Sequence, residues 1–150
     1  MRRMIFAVVI VALTVVGLAP ASQAKGNASN NFVAQLSGDN EVPSVDTDSH
    51  GTAHFHVKSD GTVDFKVVVN KPSATVVASH IHLAPAGVNG GVAVDLLGQA
   101  STVNVNHNST VFSGSFVMPG GFVDTANAGN YYVNVHTVAN PPGEIRGQLS

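Results

Sequence analysis

Apolar and polar residues alternate along most of this chain with a period of two, the repeat of a strand that buries one face. Phe32, Ala34 and Leu36 alternate with polar neighbours, and Ala53, Phe55 and Val57 alternate with His54, His56 and Lys58. Val63, Phe65, Val67 and Val69 follow the same rule against Thr62, Asp64 and Lys66. Ser59-Asp60-Gly61 should join the second and third of these segments as a tight hairpin, because Asp and Gly tolerate the positive φ such turns need. Further strands are predicted over residues 76–83, 91–97, 102–105, 110–117, 130–138 and 144–149, with one helical turn over 122–128 before Gly129. No long segment carries a helical period. The expected class is therefore all-β, an antiparallel Greek-key β-sandwich or barrel of about eight strands with its core on one face of each. Residues 37–49 should be irregular, since the Gly, Asn and Pro of Gly38-Asp39-Asn40-Glu41-Val42-Pro43 resist strand geometry. Gly87-Val88-Asn89-Gly90-Gly91 has no helix after it to bind phosphate and reads as a turn or loop.

The first residues break the alternation. Arg2 and Arg3, the apolar run from Ile5 to Val16, and Ser22-Gln23-Ala24 read as an export signal over residues 1–24, cleaved after Ala24. The apolar run is shorter than the roughly 20 residues a membrane span needs, and Pro20 interrupts it. Residues 25–30 are polar and expected to be flexible, which leaves residues 31–150 as one domain that works in the periplasm or outside the cell, without a membrane span. A total of 150 residues excludes a multidomain enzyme. With no Cys, stability must come from packing or metal rather than disulfides. The formal charge of −2 becomes −4 once Arg2 and Arg3 leave, because five Lys and Arg then face nine Asp and Glu. Nucleic acid and anionic membrane are poor partners for such a chain.

Seven histidines change the picture, because histidine is the usual protein ligand for transition metals. His80-Ile81-His82 lies in a predicted strand, where residues two apart share a face roughly 6–7 Å from each other. With Ile81 turned to the core, both imidazoles lie on the outer surface. In Tyr131-Tyr132-Val133-Asn134-Val135-His136-Thr137, Val133 and Val135 point inward and Asn134 and His136 outward. If the two strands are neighbours, His80, His82 and His136 form a three-nitrogen site with an open position, which suits copper or zinc. His54 and His56 have the same spacing and, with His50 and His107, read as solvated or structural residues. Asn140-Pro141-Pro142-Gly143 is a strong turn, and centring it near residue 141 places Arg146 opposite His136. There its guanidinium would attract a small anion to the open position, or else form a surface ion pair with Glu144 or an aspartate. There is no Gly-x-Ser-x-Gly elbow, cysteine nucleophile, Walker loop or recognisable acid pair to compete.

Four segments together resemble the CHRD domain, named after its occurrence in chordin and found widely in secreted microbial proteins. They are Leu36-Ser37-Gly38-Asp39-Asn40-Glu41-Val42-Pro43, Gly51-Thr52-Ala53, His80-Ile81-His82 with Pro85-Ala86-Gly87, and Tyr132-Val133-Asn134-Val135-His136-Thr137 through Pro142-Gly143-Glu144-Ile145-Arg146-Gly147-Gln148-Leu149. The likeness runs from about Phe32 to Leu149. A more distant one is to Cu,Zn superoxide dismutase, an eight-stranded Greek-key barrel. His80-Ile81-His82 resembles its copper-binding His-x-His, His136 its last copper histidine, and Arg146 its superoxide-guiding arginine, although Arg146 lies much closer in sequence to the last histidine. By the same likeness His54 is a non-ligand. Residues 83–100 contain no histidine, so the zinc site and the bridging histidine of that family are missing, as is its disulfide. The resemblance thus implies one copper ion on three histidines, completed by water, by His107 or by another side chain, with superoxide as substrate. The alternative from another class is a noncatalytic secreted CHRD module that binds a protein partner or surface, or sequesters copper.

Overall fold

A computed structural model describes residues 30–118 and 121–150; the proposed export signal lies outside them. The strands are β1 (Asn31–Ser37), β2 (His50–Val57), β3 (Thr62–Asn70), β4 (Val76–Leu83), β5 (Gly91–Asp95), β6 (Ala100–Asn106), β7 (Ser109–Val117), β8 (Tyr131–Thr137) and β9 (Ile145–Gln148). A 3₁₀ turn, Gly38–Asn40, follows β1, and one short helix, α1 (Phe122–Asn127), precedes β8. All nine strands belong to one antiparallel sheet in the order β5-β4-β8-β9-β1-β2-β3-β7-β6. Its two edge strands, β5 and β6, are consecutive in the chain and joined only by residues 96–99. An extended chain spans at most about 3.3–3.6 Å per residue, so the sheet must curl until its edges approach. The all-β antiparallel class is as expected, with the strands in one curled half-barrel rather than two stacked sheets.

The inner face is the predicted one. Phe32, Ala34, Leu36, Ala53, Phe55, Val63, Phe65, Val67, Ile81, Val133 and Val135 are all buried in a single core. Phe122 of α1 enters it, edge-on to Phe32 at 5.8 Å and stacked on Tyr131 at 5.3 Å between ring centroids. Burying one such ring contributes about 1.5–3 kcal/mol, which is enough to hold a helix too short to persist alone.

β8 departs from the half-buried pattern, being buried at all seven positions. Its outer face is roofed by the segments after β1, after β4 and before β9. Arg146 Nε donates to the Asn40 carbonyl (2.6 Å), Asn40 Nδ2 returns a bond to the Arg146 carbonyl (3.1 Å), and Asn89 Nδ2 donates to the Val42 carbonyl (2.8 Å). Thr47 Oγ1 donates to Glu144 Oε1 at 2.7 Å. The outward side chains of β8 and β9 are therefore corrected from surface residues to members of a second, polar interior. The roof and the core both depend on β9 lying tight against β1.

Gly147 sits at that seam, and a Cβ there would run into the Gln35 carbonyl oxygen. Gly147→Ala must part β9 from β1, and such overpacking costs about 1–3 kcal/mol. The expected result in urea titration is a lower midpoint with an unchanged slope; an unchanged midpoint would mean the seam has slack.

Candidate metal centre

β4 and β8 are neighbours, with His82 opposite Tyr132, His80 opposite Asn134 and Ala78 opposite His136. His136 is thus diagonal to His80, within the reach of cross-strand side chains. The ring centroids lie 4.8 Å apart for His80 and His136, 5.6 Å for His80 and His82, and 6.3 Å for His82 and His136. One ring nitrogen from each lies within 4.8 Å of the others, a group that could hold a metal ion. His107 falls in the turn between β6 and β7, and His50, His54 and His56 are on β2; none of the four belongs to this group.

The ring orientations follow from what each imidazole touches. His82 Nδ1 lies 3.0 Å from the Gly90 carbonyl and His136 Nδ1 lies 2.9 Å from the Pro141 carbonyl. A carbonyl only accepts, so both Nδ1 atoms carry hydrogen, and a neutral ring then has a bare Nε2. His82 Nε2 is buried and has no hydrogen-bond partner among the described residues. His136 Nε2 faces His80 Nδ1 at 3.0 Å, and since His136 Nε2 is the bare acceptor, His80 Nδ1 is the donor. A separation of roughly 3 Å also matches two nitrogens that share an ion at about 2.0–2.1 Å. Burial holds His82 below the ordinary imidazole range, helped by the charges of His80, His136 and Arg146 and opposed by the Gly90 hydrogen bond. Burial also lowers His136, with its Pro141 bond acting the other way. Both are kept in the neutral form that ligates.

Arg146 is on the expected face but in a different place. β9 pairs Arg146 with Asn134, so the turn is centred at residue 140 rather than 141 and the register moves by two residues. A two-residue shift preserves the face and changes the neighbour. The Arg146 guanidinium lies over Tyr132, 4.7 Å from the ring centroid, while His82 stacks on the same ring at 4.8 Å and 6°. Because β8 lies between β4 and β9, Tyr132 stands between His82 and Arg146. Arg146 is only 3% exposed, and its Nη1 donates to Asn89 Oδ1 at 2.8 Å. Its acidic neighbour is Glu41, at 3.9 Å, rather than Glu144, whose Oε1 accepts from Thr47 and from the Ser73 N–H.

A model of the CHRD domain matches residues 32–149. The chain belongs to the CHRD domain family. No curated protein and no solved structure matches it. In this CHRD domain the residues that period and spacing did not single out are Tyr132 of β8, under Arg146, and those of the roof: Gly90 and Pro141 as carbonyl anchors, Asn89 beside Arg146, and Glu41. Glu41 is pushed up to about 7 by burial, against the pull of the Arg146 charge and the Asn134 amide. The irregular 37–49 segment and the glycines around residue 90 were its sequence signals, but neither states what it covers.

These shifts have opposite consequences. Unfolded histidine takes up protons near 6.5, above folded His82 and His136, so both rings cost the metal-free fold stability as pH falls through that value. Glu41 binds its proton more tightly when folded, so its contribution is full below about 4.5 and is lost as pH rises through about 7. Between pH of about 7.5 and 5.5, metal-free His82→Gln should gain stability relative to wild type on acidification and Glu41→Gln should lose it, read by urea unfolding. Parallel pH slopes for all three proteins would contradict the assignment. Nitrogen-15 NMR of the metal-free protein should likewise find all three site histidines protonated at Nδ1; an Nε2–H form of His82 or His136 would break the carbonyl-anchor argument.

Proposed function

We propose that the protein is an exported CHRD protein that binds one copper ion through His80 Nδ1, His82 Nε2 and His136 Nε2, and that superoxide dismutation is the reaction this site suits best. The observation that carries the reading is the group of three ring nitrogens within 4.8 Å, with His82 Nε2 buried and unpartnered among the described residues. An all-imidazole set fits copper and accepts zinc less selectively, since raw affinity at nitrogen sites favours copper. Bound copper supplies a one-electron couple that superoxide can reduce and oxidise in turn.

The chain's own residues do the rest. The Gly90 and Pro141 carbonyls fix two rings with Nε2 toward the site, the arrangement that outer partners of metal histidines commonly provide. To hold the ion His80 would present a bare Nδ1, with its hydrogen on Nε2 instead, and would give up its hydrogen bond to His136. Arg146 acts on an incoming anion by its field from behind Tyr132, not by contact, in a chain whose net charge is otherwise unfavourable to anions. Residues 1–24 support export, and among the described residues no helix is long and apolar enough to cross a membrane.

A second reading, a noncatalytic module that docks on a protein or surface, is favoured by edge strand β6. It carries no charged residue and leaves Val103 and Val105 51% and 71% exposed, an edge that soluble proteins ordinarily guard.

Electron paramagnetic resonance of the 25–150 protein titrated with Cu(II), with superoxide turnover measured on the same samples, separates these readings. A saturable signal of one copper per chain with nitrogen hyperfine structure is expected, lost in His80→Ala, His82→Ala and His136→Ala and kept in His54→Ala. Turnover should require bound copper and fall in Arg146→Ala most strongly at low salt, where a charge acts furthest. Stoichiometric copper without turnover supports storage or docking, and no stoichiometric signal removes the copper reading.

A further inference from the structure

A cavity of about 340 Å³ lies against the metal centre, between the roof and β8. His82 forms part of its wall, with Tyr132 and Asn134 from β8, Asn89 and Gly90 from the roof, and Glu41 from the irregular segment. Glu41 brings the only carboxyl group to this lining, and no cation is hydrogen-bonded to it; its polar neighbour is the Asn134 amide. The nearest cation, Arg146, approaches it no closer than 3.9 Å, because Arg146 Nε is bonded to the Asn40 carbonyl and Nη1 to Asn89. Glu41 Oε1 and Asn134 Oδ1 are both buried without a hydrogen-bond partner among the described residues, and both lie beside Gly143. One proton on Glu41 would give this pair of acceptors a donor.

We infer that Glu41 is the proton donor of the site, delivering protons to oxygen species across the cavity it shares with His82. The inference rests on the superoxide reading above. To become hydrogen peroxide, superoxide takes one electron from reduced copper and two protons. The Glu41 carboxyl O–H bond breaks and its proton passes to a superoxide oxygen; the second proton comes from water, and the Glu41 carboxylate then recovers its own from solvent. Burial supports this role by holding the group near half-protonation at neutral pH, where a general acid is most effective. Arg146 is the charged group facing it from β9, and the other ionisable side chains bordering the cavity are His82 and the Tyr132 phenol. The opposite half-reaction, oxidation of superoxide to dioxygen, takes up no proton and needs no donor.

Pulse radiolysis of the copper-loaded full domain resolves the two half-reactions. Glu41→Gln should keep one copper per chain and the wild-type resonance spectrum, leave copper reduction by superoxide unchanged, and slow copper reoxidation by 10-fold or more, within the ~10²–10⁴ typical of acid catalysis. It should also remove the inflection near pH 7 from reoxidation alone, while Glu41→Asp restores part of the rate. Equal slowing of both half-reactions, or a reoxidation profile the same as wild type, overturns the inference. An independent readout uses the metal-free protein: the infrared carbonyl band of a protonated carboxyl should disappear as pH rises through about 7 in wild type and be missing from Glu41→Gln. Its absence in wild type overturns the inference whatever the copper data show. Failure of the parent reading looks different, because wild type then binds copper and performs neither half-reaction.

Discussion

β8 has no face turned to water, and most of the structure's particular features follow from that constraint. Val133 and Val135 on its inner face can be satisfied by packing alone. Tyr132, Asn134 and His136 on the other face carry polar atoms that each need a partner once water is gone. The roof meets that demand in part: the Gly90 N–H donates to the Tyr132 hydroxyl and the Pro141 carbonyl accepts from His136, while Asn134 Oδ1 is left without a partner among the described residues. A bare strand surface would have left the histidines free to turn. Covered, His82 and His136 each have Nδ1 engaged by a main-chain carbonyl, which leaves Nε2 for the space between the rings.

The stack of His82, Tyr132 and Arg146 connects this polar interior to its charge balance. A cation against an aromatic face is worth about 0.5–2 kcal/mol, more when desolvated, and here one ring is shared with a candidate ligand on the opposite side. Arg146 would be costly to bury alone, yet its donors meet Asn40 and Asn89 while Glu41 stands within ion-pair reach. The pairing with Glu41 is loose, and Arg146 Nη2 and Glu41 Oε1 are both buried without a hydrogen-bond partner among the described residues. At that separation the arginine only partly offsets the burial that dominates Glu41.

Local periodicity was enough to read the strands. β4 coincides with the 76–83 segment, and most other boundaries fall within a residue or two, because alternation records burial directly. The sharing of a face by His80, His82 and His136 was equally legible, as it needs only parity and the adjacency of two strands. What alternation cannot carry is anything set by distant segments. Outward residues on β8 and β9 looked solvated because the roof comes from residues far along the chain. The register of Arg146 depended on the centre of one turn, and a difference of a single residue there moved its neighbour from His136 to Asn134. Glu41 lay in a segment recognisable only as irregular, so its place on the cavity wall could not be read from spacing.

The pairing of the first strand with the ninth bears on when the site can exist. β9 lies beside β1, and Val33 and Ser150 exchange main-chain hydrogen bonds of 3.0 and 3.1 Å. Arg146 and the Pro141 anchor therefore take their places only after β9 returns to β1. A ribosome delivers residues in order, so β4 waits, with His80 and His82 uncommitted, until β8 and β9 follow it. The three-histidine group is therefore one of the last features to assemble, and a chain cut short before β9 holds no finished group.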